Sequence, residues 1–264
     1  NMWIDESDAE TATYGIYLYM RDALKSVHDI YLCWGEFRNG LWGAGTNKTL
    51  SGVDQTQVRT STMSSSNAYA DWSVMYKTVN QANLILKHVP EMGISESVRN
   101  FSLGNAYFSR AWCYFWIARI WGDAPLALTG YESTAGDLYL PRAPKAEIFA
   151  RIESDLTEAE RYVTDNSDKA VATPAAVQML KADYALWMYR VAGGGSSYLT
   201  MAEEAIETLN LSASRLESDY AQVFSSANKL NKEVIFAVHQ ANGEAVNGPG
   251  YYLGWNSNYV EAAY

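Results

Sequence analysis

The helical spacing of apolar residues along most of the chain constrains the fold more than any other feature. Within residues 8–31, apolar side chains recur every three or four positions, which is the spacing of one face of an α-helix. Five later segments repeat this pattern, and alanines lie where paired helices would approach closely. These segments are residues 68–89, 95–121, 144–163, 173–191 and 198–209. The chain is therefore predicted to be all-α, an irregular tetratricopeptide-like stack of antiparallel helices with long loops and little strand.

Three segments depart from the helical pattern. Residues 234–238 read Val-Ile-Phe-Ala-Val, which predicts a β-strand. Residues 32–67 and 240–264 are long, contain glycines among Trp and Tyr residues, and show no sustained period. Irregular segments of that length in a compact domain are usually functional or disordered. Their aromatic content favours a function, and residues 32–67 are the predicted ligand loop.

Charge and hydropathy exclude two classes of partner. The chain carries a formal net charge of −10 and lacks a strongly basic cluster, so nucleic acid is not a predicted partner. No segment reaches the roughly 18 consecutive apolar residues that would predict a membrane-spanning helix.

Two cysteines, Cys33 and Cys113, are too few for a disulfide framework. Cys113 lies within a helical pattern and is predicted to be a core thiol, and a bond between the two stays open.

No catalytic motif is found along the chain. The three histidines are His28, His88 and His239, and each lacks a second His or Cys at metal-ligand spacing. A nucleophile elbow, a zinc-protease motif and a phosphate-binding glycine loop are also missing from the sequence. Glu36 and Asp54 are carboxylates of the long loop, but the sequence does not place them across a cleft. We therefore predict no cofactor, no metal and no enzymatic activity.

Several motifs follow one another in a fixed order. The first group is Trp72 to Asn83, then Arg110-Ala111 in an apolar helix, then Trp121-Gly122-Asp123-Ala124-Pro125-Leu126. The later group is Pro141-Arg142, Ile152-x-x-Asp155-Leu156-x-x-Ala159, Thr173-Pro174-Ala175-Ala176, Asp219-Tyr220-x-x-x-Phe224 and Asn231-x-Glu233-x-Ile235-Phe236. In this order and spacing they resemble the SusD/RagB family, the nutrient-binding surface lipoproteins of Bacteroidetes importers. The resemblance covers nearly the whole chain.

This resemblance implies a function at the cell surface. It implies non-catalytic binding of an oligo- or polysaccharide on the outer face of the outer membrane, with a lipid anchor in the full-length precursor. The bound glycan would be delivered to a SusC-like TonB-dependent transporter, over which the protein closes as a lid. Residues 1–264 would be the N-terminal helical domain of the family. We expect the C-terminal half, the secretion signal and the lipid-bearing cysteine to be absent from this sequence.

Other functions stay open beside that expectation. RagB-like members bind peptides, so the resemblance itself leaves two classes of ligand. An all-α glycoside hydrolase would also place Trp-rich loops along a cleft, and it would release reducing ends from a bound polysaccharide. A repeat scaffold that binds only protein would use its aromatic loops as an interface. The acidic chain favours a neutral glycan over a polyanion.

The sharpest candidate site is the aromatic loop that follows the first predicted helix. A sugar ring packs its C–H face on an aromatic plane, and its hydroxyls need donors and acceptors at the rim. In the family, the loop after the first helix resembles this one and faces the ligand. The predicted platform is Trp34, Phe37 and Trp42, and the predicted rim is Glu36, Arg38 and Asn39. The alternative is that Trp34 and Trp42 anchor the loop in the helical core.

Arg110 is predicted to lie in a helix that is apolar on nearly all sides. A buried guanidinium needs a carboxylate or several carbonyl partners, and Asp155 is the candidate carboxylate. Asn105 stands where the family usually has an acidic residue before the Arg-Ala pair. A core ion pair is favoured over a ligand role for Arg110. Asn80 and Asn83, three residues apart on one helix face, are likewise predicted to bridge to neighbouring structure.

Overall fold

The structure is a computed structural model of the chain that describes residues 3–35, 38–39, 53–135, 138–211, 215–225 and 227–239, the side chains of 26–29 and 32 excepted. It is mostly helical, which confirms the predicted all-α class. The α-helices are α1 Glu6–Trp34, α2 Val53–Thr60, α3 Ser73–His88, α4 Glu96–Trp121, α5 Lys145–Tyr162, α6 Pro174–Arg190, α7 Ser197–Thr208 and α8 Tyr220–Val223. Short 3₁₀ turns at Ala68–Ala70 and Val89–Glu91 precede and follow α3.

Helix termini are fixed by side chains close in sequence. At the start of α1, Asp5 Oδ1 accepts a hydrogen bond from Asp8 N, and Asp8 Oδ2 accepts one from Ile4 N. Thr173 Oγ1 accepts from Ala176 N and caps α6, whose first residue is Pro174. These contacts satisfy amides that a first helical turn leaves without a backbone partner. Local sequence thus determines where these two helices begin.

The chain divides into two compact units. The first comprises Asn1–Tyr17 and Thr78–Val238, in which α4 packs against α5 and α6 packs against α7. Its core is built of large apolar and aromatic side chains from α4, α5 and α6. Those with almost no exposed surface include Phe108, Tyr114, Phe115, Ile117, Ile148, Ile152 and Tyr184. Ala106, Ala182 and Ala202, which were predicted to lie where helices approach, are buried, and this agrees with the predicted helix stack.

The second unit comprises Leu18–Lys77 and His239–Tyr264. Its described core is smaller and draws on α1, α2, the turn Ala68–Ala70 and α3. The buried apolar side chains include Met20, Ile30, Val58, Tyr69 and Met75. Helix α2 packs on the turn Ala68–Ala70, so part of the predicted loop 32–67 is regular structure.

Strand structure in the described ranges is limited to one small antiparallel pair. Ala124–Pro125 (β1) pairs with Arg142–Ala143 (β2), with Ala124 opposite Ala143. The prediction of a strand at residues 234–238 was wrong, because no described residue pairs with this segment in a β-ladder. A long-range backbone hydrogen bond of the segment runs from Ala237 N to Lys169 O at 2.9 Å. None of the described helices has the length and apolar content needed to cross a membrane.

Candidate functional site

Trp34, at the last turn of α1, is a buried residue of the second unit. Its side chain is 7% exposed, and its Nε1 donates to Tyr69 O at 2.8 Å. A ring covered to that extent cannot also offer an open face to a sugar. The placement fits the alternative in which Trp34 anchors the start of the loop.

The residues that follow Trp34 are described only in part. Arg38 and Asn39 are exposed, and Arg38 N donates to Gly35 O at 3.2 Å, which forms a turn just past the helix. Glu36, Phe37 and Trp42 lie outside the described residues. The structure therefore brings Arg38 and Asn39 to the surface next to an anchored Trp34. The predicted roles of Glu36, Phe37 and Trp42 stay predictions.

A hydrogen-bonded base supports this anchor. Asn67 Nδ2 donates to Gln57 Oε1 at 2.8 Å and to Asp54 O at 3.1 Å, while its Oδ1 accepts from Tyr69 N at 2.9 Å. Gln55 Nε2 donates to the Tyr69 hydroxyl at 3.0 Å. Burial raises the pKa of Tyr69, so its hydroxyl stays neutral. The helix α2 and the turn Ala68–Ala70 are thus fixed beneath Trp34, an arrangement that sequence periodicity did not indicate.

Arg110 lies in a buried, hydrogen-bonded site of the first unit. Its Nε donates to Asp155 Oδ2 at 2.8 Å and its Nη2 to Asp155 Oδ1 at 2.7 Å. Its Nη1 donates to Asn83 Oδ1 at 2.8 Å. Arg110 is 5% exposed and Asp155 is completely buried. The predicted Asp155 partner is confirmed, and the enclosed pair favours the core ion-pair interpretation over a ligand role.

Asn80 and Asn83 hold the segment that follows β1. Asn80 exchanges two hydrogen bonds with Tyr131, donating to its O at 3.0 Å and accepting from its N at 2.7 Å. Asn83 Nδ2 donates to Ala127 O and Thr129 O, at 3.0 and 3.3 Å. This agrees with the predicted bridging role of both amides.

Asn105 forms hydrogen bonds within the core both as an acceptor and as a donor, whereas an ionised acidic residue could only accept them. Its Oδ1 accepts from the Tyr17 hydroxyl and from Ala172 N, and its Nδ2 donates to Phe101 O at 2.7 Å. These bonds join α1, α4 and the segment before α6. The side chain is 1% exposed, so its amide is consumed within the core.

The remaining candidate groups show no shared reactive site in the described ranges. Cys33 and Cys113 are both buried, and burial raises the pKa of the Cys113 thiol. The His88 ring stacks on Trp3 and its Nε2 lies 3.0 Å from Glu132 Oε1. Across the described part of the chain, His, Cys, Asp and Glu side chains form no group of three that could hold a metal ion.

Comparison with known families gives a match over more than half of the chain. Residues 44–189 match the SusD-like family described as "Starch-binding associating with outer membrane". This range, more than half of the chain, contains α2 to α5 and most of α6, together with the Arg110–Asp155 pair and Asn83. A curated relative, a SusD-like protein of Formosa agariphila, is 28% identical over 162 residues, which are 61% of this chain and 31% of that protein.

Solved structures share the fold. The protein called NanU from B. fragilis is 29% identical, with a TM-score of 0.75 over 92% of this chain and 49% of that one. A laminarin-binding SusD-like protein is 18% identical, with a TM-score of 0.72 over 89% of this chain and 51% of that one. At that identity the second likeness shows the fold alone. The chain spans about half the length of these structures and about a third of the curated relative.

Proposed function

The chain belongs to the SusD-like family, and on that premise we propose that it binds a neutral glycan without cleaving it. The single observation that carries this proposal is the match over residues 44–189 to a family described as starch-binding and associating with the outer membrane. A protein of the same fold is described as laminarin-binding, so the fold is compatible with a polysaccharide ligand. In the cell, the protein would act on the outer face of the outer membrane and deliver its glycan to a TonB-dependent transporter.

The proposed ligand surface is the loop that begins at Trp34. The buried Trp34 ring and its bond to Tyr69 O hold the start of this loop in one position. The exposed Arg38 and Asn39 would then donate hydrogen bonds to sugar hydroxyls. Phe37 and Trp42 would supply the aromatic platform and Glu36 an acceptor at the rim. A fixed loop start supports binding because less conformational freedom is lost when the ligand is bound.

Charge supports a neutral ligand. The net charge of −10 would repel a polyanionic glycan at long range, whereas a neutral glycan would not be repelled. Binding would then depend on ring stacking and hydrogen bonds. Such contacts weaken little when salt is added, because they involve no long-range attraction between charges.

The test is affinity electrophoresis of this chain through gels that contain neutral polysaccharides, among them starch and laminarin. A reducing-sugar assay is run on the same samples. We expect retardation without new reducing ends, and we expect Trp42→Ala and Arg38→Ala to reduce the retardation. Tyr139→Ala is the control, because Tyr139 is a 92% exposed aromatic of the first unit. It should migrate like the unchanged protein in every gel.

Three outcomes would overturn the proposal. Retardation with product would show a glycoside hydrolase. Retardation that Tyr139→Ala reduces as much as Trp42→Ala would place the glycan outside the loop. If the chain were retarded in no gel, a glycan ligand would be excluded and a peptide ligand favoured. A titration with an oligopeptide mixture would then test for peptide binding.

A further inference from the structure

A concave site lies in the first unit, apart from the proposed loop in sequence. It is a cavity of about 470 Å³ between the N-terminal part of α1, the first half of α4 and the segment after α5. That volume lies in the range of small-molecule sites, roughly 300–1,000 Å³. The residues that give it chemical character are Glu10, Tyr14, Phe101, Asn105, Tyr162 and Asp165. This cavity can hold a molecule of the size of one sugar or one amino acid.

The walls of the cavity are fixed by close packing of α4 against the end of α5. Gly104 of α4 faces this end, and an added Cβ would lie 2.7 Å from Val163 Cγ2 and 3.0 Å from Val163 N. A larger residue could not let the two segments approach as they do. At the base, every amide atom of the buried Asn105 is already hydrogen-bonded to Tyr17, Ala172 or Phe101. The cavity is therefore formed before any ligand arrives.

The charge around the cavity is negative. Glu10 and Asp165 line it, and among the described residues that do so none is Lys, Arg or His. Burial raises the pKa of Tyr14, and the negative charges of Asp168, Glu10 and Asp165 raise it further. Hydrogen bonds from the Ser167 hydroxyl and amide hold the pKa of Asp165 below its usual range, so that this carboxylate is ionised at neutral pH.

The N-terminus of α4 lies at the same cavity and would ordinarily favour an anion. Its first turn contributes Ser97 and Val98 to the lining. Glu6 Oε1 already accepts from Ser95 N at 2.8 Å, so a carboxylate of the chain occupies this positive end. The net preference of the cavity is therefore for a cation.

Aromatic rings add to this preference. Tyr14 and Phe101 lie with their ring centroids 5.8 Å apart at a tilt of 53°, and Tyr14 is 52% exposed. An ammonium group near the face of such rings is attracted by their π electrons. Tyr162 stacks on Tyr107 and lies 5.1 Å from the Arg161 guanidinium, so it forms a wall. Arg161 itself is paired with Glu158 at 3.7 Å.

We propose that this cavity binds a protonated primary amine on a small polar molecule, with the ammonium group between the Glu10 and Asp165 carboxylates and the Tyr14 and Phe101 rings. Two sources carry that chemistry, an amino sugar with a free amine and a lysine side chain. The site is independent of neutral-glycan binding by the loop. It would allow the first unit to recognise a positively charged group on a ligand, in addition to glycan binding by the loop.

The proposal is tested by NMR titration of the isotope-labelled chain at low ionic strength. The probes are glucosamine, N-acetylglucosamine and the lysine analogue Nα-acetyl-lysine methylamide. We expect saturable shifts at the amides of the lining residues with glucosamine and a dissociation constant in the millimolar range. N-acetylglucosamine, which has no ammonium group, should shift them little. A response to the lysine analogue as strong as that to glucosamine would identify the ammonium alone as the recognised group.

Variants separate this site from general charge attraction. Glu10→Gln with Asp165→Asn should weaken glucosamine binding by roughly tenfold, since two partners of the ammonium are lost. The matched control, Glu147→Gln with Glu203→Gln, removes two exposed carboxylates outside the lining and should leave binding unchanged. Tyr14→Phe should retain affinity, while Tyr14→Leu should lower it several-fold because the π face is lost.

Three results would overturn the proposal. The first is equal shifts with glucosamine and N-acetylglucosamine, which would show that the amine is not recognised. The second is a lack of saturable shifts with either amine probe. The third is a loss of binding in the control double variant equal to that in the Glu10 and Asp165 variant. None of these results bears on retardation in polysaccharide gels, so the two proposals can fail separately.

Discussion

At the Arg110 guanidinium, three hydrogen bonds replace the water that burial removes. Two run to Asp155 and one to Asn83, all between 2.7 and 2.8 Å. Arg151 adds a longer contact to the same carboxylate at 3.5 Å. A buried ion pair of this kind holds helices in register more surely than it adds net stability. Its role belongs to the fold.

Replacement of Arg110 by Met should therefore be severe. Arg110→Met leaves Asp155 buried without its main partner, and we expect a loss of about 3–5 kcal/mol in the free energy of unfolding. Urea unfolding followed by circular dichroism measures it. The control is Asp183→Asn, because Asp183 and Arg119 form an exposed pair at 3.4 Å that should contribute about 0–1 kcal/mol. Equal losses in the two variants would contradict the buried-pair argument.

Trp34 allows a second test on a single residue. Trp34→Phe keeps an aromatic ring but leaves Tyr69 O without its 2.8 Å donor, which should lower the free energy of unfolding by about 1–3 kcal/mol. Gel retardation should fall less than in Trp42→Ala, since the ring supports the loop without contacting the glycan. Unchanged stability together with complete loss of retardation would instead assign Trp34 to the ligand platform.

At the scale of helices, the crossing of α4 and α5 depends on one glycine. A Cβ at Gly104 would meet the backbone of α5 and its cap, at 3.0 Å from Val163 N and 3.1 Å from Tyr162 C. Neither atom can move without the whole terminus of α5. The absence of a side chain at Gly104 therefore sets how closely these two helices approach.

Gly104→Ala and Gly15→Ala make a matched pair of helical substitutions. Alanine in place of glycine within a helix should gain up to about 1 kcal/mol. At Gly104 a clash of about 1–3 kcal/mol should outweigh this gain and lower the melting temperature. At Gly15 the nearest atom, Gln81 Nε2, would be 3.6 Å from the new Cβ, so the melting temperature should rise. Differential scanning calorimetry measures both melting temperatures. A rise of the melting temperature in both variants would rule out the clash at Gly104.

Helices were predictable where the apolar period was long. The predicted ranges 95–121 and 144–163 became Glu96–Trp121 and Lys145–Tyr162, because buried side chains run along both helices, Gly122 follows the first and Pro144 precedes the second. Helix α2 was missed because its eight residues carry one buried side chain, Val58, which is too few to form a period. Residues 234–238 have strand propensity, but propensity is not realised without a partner strand.

At the scale of the molecule, several tyrosines of the described residues are buried, while others such as Tyr139 are exposed. Tyr17, Tyr69 and Tyr184 all have raised pKa values, chiefly because burial disfavours the charged phenolate. Tyr184 also donates to Glu153 Oε1 at 2.7 Å, and that carboxylate raises its pKa further. These hydroxyls stay protonated in the folded protein well above the pH at which they ionise in the unfolded chain.

The consequence for stability follows from the direction of these shifts. A pKa raised in the folded state gives stability that is complete below the unfolded value of 10.0 and is lost as the pH rises through the folded value. Each such tyrosine should lower the free energy of unfolding by about 1.4 kcal/mol per pH unit in that window. Urea unfolding at increasing alkaline pH measures it. Tyr17→Phe should reduce the slope, and a slope that is unchanged would contradict the assignment.

The proposed sites differ in how far the sequence could reveal them. The Arg110–Asp155 pair was predictable because a buried charge demands an opposite charge nearby. The aromatic loop was suggested by its composition and by the family resemblance. The amine cavity could not be foreseen, since Tyr14, Phe101 and Asp165 belong to three segments that only the folded chain brings together. Sequence patterns predict which residues are neighbours along one helix far better than which residues meet from three separate segments.

Asn83 also bears on how the native state opens. One side of its amide accepts from Arg110, and the other donates to the carbonyls of Ala127 and Thr129 in the segment after β1. If that segment lifted away, the amide would lose two acceptors while still bound to a buried guanidinium. Local fraying of residues 127–131 is thereby coupled to the loosening of α3 from α4. In hydrogen-exchange terms, this surface segment should share the slow opening of the helical core beneath it.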